Sequence, residues 1–315
     1  MRVADTVSLY IQRRQANGCC SDSVARVLRH FVRNVGTERE LNAIRPQEIR
    51  AFLDGNGALT RYWHRKHSAL LGFYRFALGR GLVPSLPLSV ASPKLRQTFK
   101  PYIYTEAELL RLIDAMPGKQ DARTLLEPST FRVLLLLLYG AGLRPSEAMR
   151  LTRGDFDWQR SLLTIRETKF YKTRLVPIGR HLLEILRDYQ ERFERRPNPS
   201  NEDCLLAYRD GRALNDSTVR RAFRQLRLRA GIQRGDGARY QPRLHDLRAT
   251  FAVHRLTAWY REGCDVQQLL PLLSTYLGHA SIAGTQVYLT MTPELLSQAA
   301  SRFERYATMR EGYHE

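Results

Sequence analysis

Lysine is scarce in this chain of 315 residues, although positive charge is abundant. Only six of its 50 basic residues are lysines and 44 are arginines, and with 31 acidic residues the net charge is +19. A charge this positive favours a polyanionic partner, most often nucleic acid. The planar guanidinium matches phosphate oxygens, so an arginine excess suits contact with a nucleic-acid backbone. The alternative is that arginine richness reflects genome base composition.

Long apolar runs, paired cysteines and nucleotide-binding motifs are also missing. The longest apolar run, 133–143, is shorter than the roughly 20 residues that span a bilayer, so we expect no membrane partner. The N-terminus carries Asp5 and does not resemble a signal peptide. Because the four cysteines lack zinc-finger spacing and no P-loop or GxGxxG occurs, we expect no metal and no cofactor. These features predict a cytoplasmic, nucleoid-associated protein.

The charge divides the chain into two parts. Residues 1–98 hold 16 basic and 6 acidic residues, whereas 99–315 hold 34 and 25. The net positive charge per residue is therefore about twice as high in the first part. Between them, 82–101 has four prolines and few periodic apolar positions, as is typical of a linker. We therefore predict a helical domain over 1–98, a linker to about 102, and a second domain over 103–315.

The first domain is predicted to be all helical. A first helix contains Leu9 and Tyr10, a second follows a cap at Ser21 or Asp22, a third opens at Pro46, and a fourth covers 60–78. The first turns of the fourth helix are basic and polar, which suits a helix lying along a DNA groove. The predicted DNA contacts are Arg61, Arg65, Lys66 and Ser68. A solvated helix face is the alternative.

The second domain is predicted to be mainly helical with one small β-hairpin, so the fold class is mainly α with a small β-sheet. Thr105 caps a helix, 131–139 is apolar enough to be a buried helix, and 162–165 pairs with 174–177 around a turn at Phe170-Tyr171. Further helices are predicted at 180–193, 216–230, 246–261, 266–277 and 293–306. The helix at 216–230 is rich in arginine and predicts DNA contacts by Arg220, Arg221 and Arg224.

Three segments could carry phosphoryl-transfer chemistry. In GLRPSE, Arg144 stands between a buried helix and the start of the next, where it is either held for a ligand or caps the preceding helix. In HDLR, His245 and Arg248 share a helix face, which suits a site that holds a phosphate while a proton moves; a surface pair is the alternative. In LGHASIAGTQVYL, His279 follows Gly278, and Tyr288 is a candidate phosphoryl acceptor if cations lie near it.

Taken together, these candidate residues and their order resemble the motifs of the tyrosine recombinase family, also called phage integrases. The resemblance is carried, in order, by Arg144 in GLRPSE, Lys169 in TKFYKTR, His245 and Arg248 in HDLR, His279 in LGH, and Tyr288 in TQVYL. It extends over nearly the whole chain: 1–98 is similar to the core-binding domain of that family and 103–306 to its catalytic domain. A simple two-domain recombinase is implied, which needs no metal or cofactor.

The resemblance also implies roles. Tyr288 would attack the scissile phosphate and form a 3′-phosphotyrosine, and Arg144 and Arg248 would bind the non-bridging oxygens. Lys169 would protonate the leaving 5′ oxygen, with Lys172 as its competitor. His245 would take part in general acid–base transfer, and His279 would donate a hydrogen bond to the phosphate.

The chain departs from the family pattern in three places. The hairpin turn has Phe170-Tyr171 where a glycine is common, and Ala249 stands where many members have histidine. The interval from His245 to His279 is long, and the extra residues fall near 256–271, where we expect a longer helix or an added turn. The residues around Tyr288 look like those of members carried by mobile elements.

The implied partner is double-stranded DNA with an inverted-repeat core, bound by two copies and brought together by four in a synapse. The helix at 293–306 would dock on a neighbouring copy or pack on its own domain. Accessory proteins or sister recombinases stay open as further partners. The reaction would be strand exchange through a Holliday junction for integration, excision or transposition. A type IB topoisomerase and a catalytically silent DNA-binding regulator are the alternatives.

Overall fold

A computed structural model describes residues 1–18, 22–55, 59–93, 100–117, 126–166, 173–194, 200–238, 240–291 and 293–301. The chain divides into two compact units, Met1–Phe99 and Lys100–Glu315. Both units are mostly helical, and the second also holds a small sheet, as the sequence predicts. No helix within the described ranges is long and apolar enough to cross a membrane.

The described residues of the first unit form four α-helices, and all four predicted helices are confirmed. Helix α3 begins at Pro46, whose missing N–H costs nothing there. Helix α4 begins after Thr60, whose hydroxyl accepts a hydrogen bond from the Trp63 N–H at 3.3 Å. The core is built from valines, leucines, isoleucines and aromatic residues, most of which these helices bury against one another. The helices are α1 (Val3–Ala16), α2 (Asp22–Val35), α3 (Pro46–Asp54) and α4 (Arg61–Leu78).

The second unit continues the helix numbering, and its described residues also form three strands. Its first elements are α5 (Glu106–Asp114), α6 (Pro128–Gly140), α7 (Pro145–Ala148), β1 (Phe156–Asp157), β2 (Leu162–Ile165) and β3 (Arg174–Pro177). Its later helices are α8 (Arg180–Glu194), α9 (Asp216–Arg229), α10 (Asp246–Arg261), α11 (Val266–Leu277), α12 (Ala283–Gln286) and α13 (293–301). A 3-10 helix, Val287–Thr290, follows α12.

The predicted hairpin is confirmed, and the sheet has a strand that sequence analysis missed. Strands β2 and β3 pair antiparallel with Leu163 opposite Val176, both fully buried. The two-residue strand β1 adds to the other side of β2, in the order β1-β2-β3. A strand of two residues is too short to show the alternation of apolar and polar residues by which strands are predicted. The predicted turn at Phe170-Tyr171 lies outside the described residues.

Helix α6 is the centre of the second unit and sets the position of the site. Its leucines are buried on almost all sides, and it packs against α8 and α10. The chain leaves α6 through Gly142, whose φ of +61° and proximity to the Phe251 ring leave no room for a side chain. A second cluster joins α10, α11, Tyr288 and Leu295. The ends of α6, α10 and α11 therefore meet around one place.

The segment 256–271 consists of the last turns of α10, a short connection and the first turns of α11. The predicted helix at 293–306 is helical over the described residues 293–301. Leu295 is buried in the cluster of its own unit, Glu294 forms an ion pair with Arg261, and Leu296 is 48% exposed. Residues 302–306 lie outside the described part.

Candidate active site

Arg144 is the residue before α7, and its guanidinium is only partly exposed. Its Nη1 donates to Glu147 Oε1 at 2.5 Å, and its Nη2 donates to the Gly278 carbonyl at 2.9 Å. Its main-chain N–H donates to Glu147 Oε2 at 3.0 Å, which closes the first turn of α7. Arg144 thus donates to the end of α11. The alternative required it to cap the end of the preceding helix, α6.

Glu147 is the carboxylate at the centre of the cluster, with a side chain only 3% exposed. Besides Arg144, it accepts two hydrogen bonds from Arg174, at 3.1 Å from Nη1 and 2.8 Å from Nη2. Arg248 Nη1 lies 3.8 Å from it. Burial alone would raise the pKa of Glu147, but the hydrogen bonds and charges of Arg174 and Arg144 outweigh it and hold the pKa at about 2.

Arg248 is 2% exposed, so the surface-pair interpretation of HDLR is wrong for this residue. Its Nη1 donates to the Gly142 carbonyl at 2.7 Å, and its Nη2 donates to the Leu277 carbonyl. Burial, followed by the charge of Arg144, lowers the pKa of Arg248 to about 9, which leaves it protonated at neutral pH. A buried guanidinium with main-chain partners is held in a fixed orientation.

The C-terminal end of α11 explains why the arginines converge. The last carbonyls of a helix lack intrahelical partners and lie at the negative end of its dipole. Here three consecutive carbonyls each accept from a different arginine: Tyr276 from Arg174, Leu277 from Arg248, and Gly278 from Arg144. Gly278 ends the helix in the left-handed conformation, with φ +66°.

His279 follows this turn and is half-buried. Its Nδ1 lies 2.7 Å from the hydroxyl of Thr285, which is fully buried, and its ring centroid is 6.1 Å from that of Tyr288. Desolvation, then the charges of Arg248, Arg144 and Arg174, lower the pKa of His279 to about 4. The neutral imidazole therefore dominates at pH 7.

His245 precedes α10 and has an exposed side chain. Desolvation by the surrounding atoms, then the charges of Arg248 and Arg243, lower its pKa to about 4. Arg243 is itself paired with the buried Asp246, at 2.7 Å. His245 is thus a neutral group at the accessible edge of the arginine cluster.

Tyr288 lies in the 3-10 helix after α12 and is 8% exposed. Burial raises the pKa of its hydroxyl, whereas the charges of Arg248 and Arg144 and a hydrogen bond from Arg248 oppose this rise.

Five of the six predicted catalytic residues, all except Lys169, therefore surround one place. Lys169 and its competitor Lys172 lie outside the described residues. Across the described ranges, no group of three or more His, Cys, Asp or Glu could hold a metal ion.

Residues 103–294, more than half of the chain, match the model of the phage integrase family. The chain belongs to this family. The enzyme is a tyrosine-type site-specific recombinase, since curated tyrosine recombinases are among its relatives.

Three relatives illustrate the extent of the match. The recombinase is 37% identical over 250 residues to y4rB of Sinorhizobium fredii, named as an integrase/recombinase, covering 78% of each chain. It is 35% identical over 302 residues to y4rE of the same organism, covering 95% of each. It is also 32% identical over 265 residues to the tyrosine recombinase XerA of Thermococcus kodakarensis, covering 84% of this chain and 82% of the relative.

Solved structures share the fold of the recombinase. The integrase of the transposon Tn1549, in complex with transposon right end DNA, superposes with a TM-score of 0.68 at 15% identity, covering 98% of this chain and 100% of the other. A lambda integrase dimer bound to a core site gives a TM-score of 0.62 at 17% identity, covering 93% and 97%.

The predicted DNA-binding residues of the first unit need one correction. Arg61, Arg65 and Ser68 are exposed on the first turns of α4. Lys66 is 7% exposed, its ammonium donates to the Phe52 carbonyl, and burial lowers its pKa. The expected DNA contact by Lys66 is therefore wrong, because its charge is used to hold α3 against α4.

In the second unit of the recombinase, the predicted arginines of α9 are exposed. Arg221 and Arg224 stand on the open face, and Arg220 forms an ion pair with Asp216 at 2.7 Å. Arg227 on the same helix is buried and donates to the Ile232 carbonyl at 2.8 Å. The helix therefore exposes four of its five arginines to solvent, the fourth being Arg229, and uses Arg227 for its own fold.

Sequence reasoning missed three residues of the site: Glu147, Arg174 and Thr285. Glu147 stands inside the GLRPSE motif, three residues after Arg144, and that capping-box spacing was an available signal. Arg174 begins β3 and Thr285 lies in α12, and neither has a local pattern that points to the site.

Proposed function

We propose that the recombinase cuts and rejoins DNA through a covalent bond between Tyr288 and a 3′ phosphate. The observation that carries this proposal is the excess positive charge beside Tyr288. Arg144, Arg174 and Arg248 share a single carboxylate, Glu147, so the cluster has a net charge of +2. Buried charge of one sign is costly unless an anion balances it.

A phosphodiester supplies that anion. It carries about one negative charge, and charge increases on the non-bridging oxygens as a fifth oxygen approaches phosphorus. Arginines already held by carbonyls and by Glu147 would stabilise that charge without reorganising. This supports the roles of Arg144 and Arg248 as the phosphate clamp.

In the proposed step, the Tyr288 oxygen attacks phosphorus and forms a P–O bond while the bond to the 5′ oxygen breaks. The tyrosine proton passes to His245, and the leaving 5′ oxygen takes a proton from Lys169. Rejoining reverses each transfer, so no nucleotide is consumed. The arginines assist the attack because their charges favour the phenolate form of Tyr288 against the effect of burial.

His279 fits the role of a neutral donor. If Thr285 donates to Nδ1, the proton of the imidazole stands on Nε2 and is available to a phosphate oxygen. The lowered pKa of His279 supports this neutral form at pH 7.

The substrate is proposed to be double-stranded DNA with an inverted-repeat core. We assign residues 1–98 as a DNA-binding domain and 103–315 as the catalytic domain, two copies on one site and four in the synapse. Strand exchange would pass through a Holliday junction, in the integration, excision or transposition of a mobile element. The DNA-bound Tn1549 integrase, the lambda integrase dimer on its core site and the integrase/recombinase relatives support these assignments.

A nicked suicide duplex tests the chemistry, with a site first selected from random inverted repeats by binding. Wild type should give a covalent protein–DNA adduct on a denaturing gel, Tyr288→Phe should give none, and mass spectrometry should find the nucleotide on Tyr288. Tyr260→Phe in the same unit is the matched control and should react like wild type. An adduct formed by Tyr288→Phe would exclude Tyr288 as the nucleophile.

A further inference from the structure

Arg174 is the cation of the cluster to which the proposed reaction gives no role. It begins β3, and its side chain is 9% exposed. All three of its nitrogens donate: Nη1 and Nη2 to Glu147, and Nε to the Tyr276 carbonyl at 2.8 Å. Three of the five N–H groups of this guanidinium are therefore bound within the protein, two of them by the carboxylate of Glu147.

The fork from Arg174 to Glu147 matters because of what else surrounds the carboxylate. The other cations at Glu147 are Arg144, at 2.5 Å, and Arg248, at 3.8 Å. Both are the residues that the proposed reaction uses to bind phosphate. Without Arg174, the charge of Glu147 would be balanced by these two alone, and their attraction for a phosphate would fall.

The position of Arg174 is tightly defined. A Cβ added to Gly278 would lie 2.9 Å from its Nη1, so the guanidinium packs directly on the backbone at the end of α11. Its planar fork matches both carboxylate oxygens, which the point charge of a lysine cannot do.

We propose that Arg174 is a positioning residue that serves as the resident counter-ion of Glu147. The carboxylate of Glu147 orients Arg144 by accepting hydrogen bonds from its guanidinium and from its main-chain N–H. Arg174 neutralises Glu147, so that the charges of Arg144 and Arg248 stay available to the phosphate. This inference rests on the proposed function of the site, and Arg174 acts through Glu147 without touching DNA.

A double-mutant cycle tests the inference, with Arg174→Gln, Glu147→Gln and the double variant in the full chain. Adduct formation on the suicide duplex should slow about 100-fold in Arg174→Gln. In the Glu147→Gln background, adding Arg174→Gln should change the rate by less than about threefold, because the charge to be neutralised is gone. Arg174→Lys should lose about tenfold.

Arg166→Gln is the matched control. Arg166 follows β2 in the same sheet and forms an ion pair with Asp155 at 2.6 Å, with a side chain 64% exposed. It should leave the adduct rate unchanged. Thermal unfolding midpoints of all variants establish that they are folded. If Arg174→Gln unfolds, Arg174→Lys takes its place in the same cycle, because lysine keeps a positive charge beside Glu147.

A second readout separates this inference from the proposed function. Binding of inorganic phosphate to the protein alone, measured by calorimetry, should weaken in Arg174→Gln and be insensitive to that change once Glu147 is glutamine. If wild type forms no Tyr288-dependent adduct, the proposed function fails while this measurement still tests Arg174. The counter-ion role would be overturned if Arg174→Gln caused the same loss of rate or of phosphate affinity in the wild-type and Glu147→Gln backgrounds. It would also be overturned if Arg174→Gln behaved like wild type, or if the wild-type protein bound no phosphate.

Discussion

The ionised carboxylate of Glu147 should make the stability of the second unit fall in acid, and Glu147→Gln should remove much of that fall. The reason is that the charged form of Glu147 receives four hydrogen bonds from Arg144 and Arg174 in the folded protein. In the unfolded chain it receives none of them. Glutamine has the shape of the protonated acid and cannot be charged.

The magnitude follows from the pKa. Burial of Glu147 acts to raise it, but the arginines lower it from 4.5 to about 2. A difference of roughly 2.5 units at about 1.4 kcal/mol each is a contribution of about 3 kcal/mol to the free energy of unfolding. Because the folded-state pKa is the lower one, the contribution is complete above about pH 4.5 and is lost as the pH falls towards 2.

The two histidines of the site act in a separate window. The pKa values of His245 and His279 are lowered from 6.5 to about 4, so their neutral forms stabilise the fold above pH 6.5 and this contribution declines between pH 6.5 and 4. Wild type and Glu147→Gln both contain these histidines. The difference between wild type and Glu147→Gln below pH 4.5 therefore reports mainly on Glu147.

Urea unfolding from pH 7 to pH 3 measures this difference. In a Trp63→Phe background, the remaining tryptophans, Trp158 and Trp259, both belong to the second unit and report on it alone. Wild type should exceed Glu147→Gln by about 3 kcal/mol at pH 7, and the gap should narrow steadily below pH 4.5. A gap that stays constant from pH 7 to pH 3 would refute the ion-pair account of Glu147.

Three further predictions address other contacts. Thr285→Val should slow adduct formation about tenfold, since His279 loses the partner that fixes its tautomer, and Thr285→Ser should keep the wild-type rate. Gly278→Ala should lower the free energy of unfolding by about 1–3 kcal/mol, and more than Gly231→Ala: both glycines have φ near +65°, but only Gly278 lies against Arg174. Arg224→Ala should weaken DNA binding and reduce the slope of log affinity against log salt by about 1, whereas Arg227→Ala should lower thermal stability, because Arg227 is buried.

The helices could be predicted because their signals are local. Thr60, Thr105 and Pro46 stand where the structure begins a helix, and the apolar spacing that follows each of them fixes the buried face. The hairpin was predictable for the same reason, from two short runs of β-favouring residues. The signal that predicts each of these elements lies within the element itself.

At Lys66, the composition of the helix led to a wrong prediction. Its positive charge suggested DNA, but it lies four residues before Leu70 and seven before Phe73, on the face that α4 buries. Periodicity alone would have placed Lys66 inside, where its long side chain reaches the Phe52 carbonyl. Helical spacing was the stronger signal at this position.

The partners of the clustered arginines could not be predicted, because they come from distant parts of the chain. Arg174 reaches Glu147 across 27 positions, and Arg144 reaches Gly278 across 134. The motifs indicated which residues would meet. They did not indicate that the end of α11 would provide the carbonyls on which the residues meet.

That helix end links the formation of the site to the formation of the fold. Each of the carbonyls at 276, 277 and 278 would be left without an intrahelical partner, and each receives a guanidinium from a different element: β3, α10 and the start of α7. The same bonds that satisfy the backbone hold three like charges close together, an arrangement that repulsion would otherwise disperse. The positive charge of the site is therefore maintained by the same interactions that stabilise the fold, which is the condition that the proposed stabilisation of a transition state without reorganisation requires.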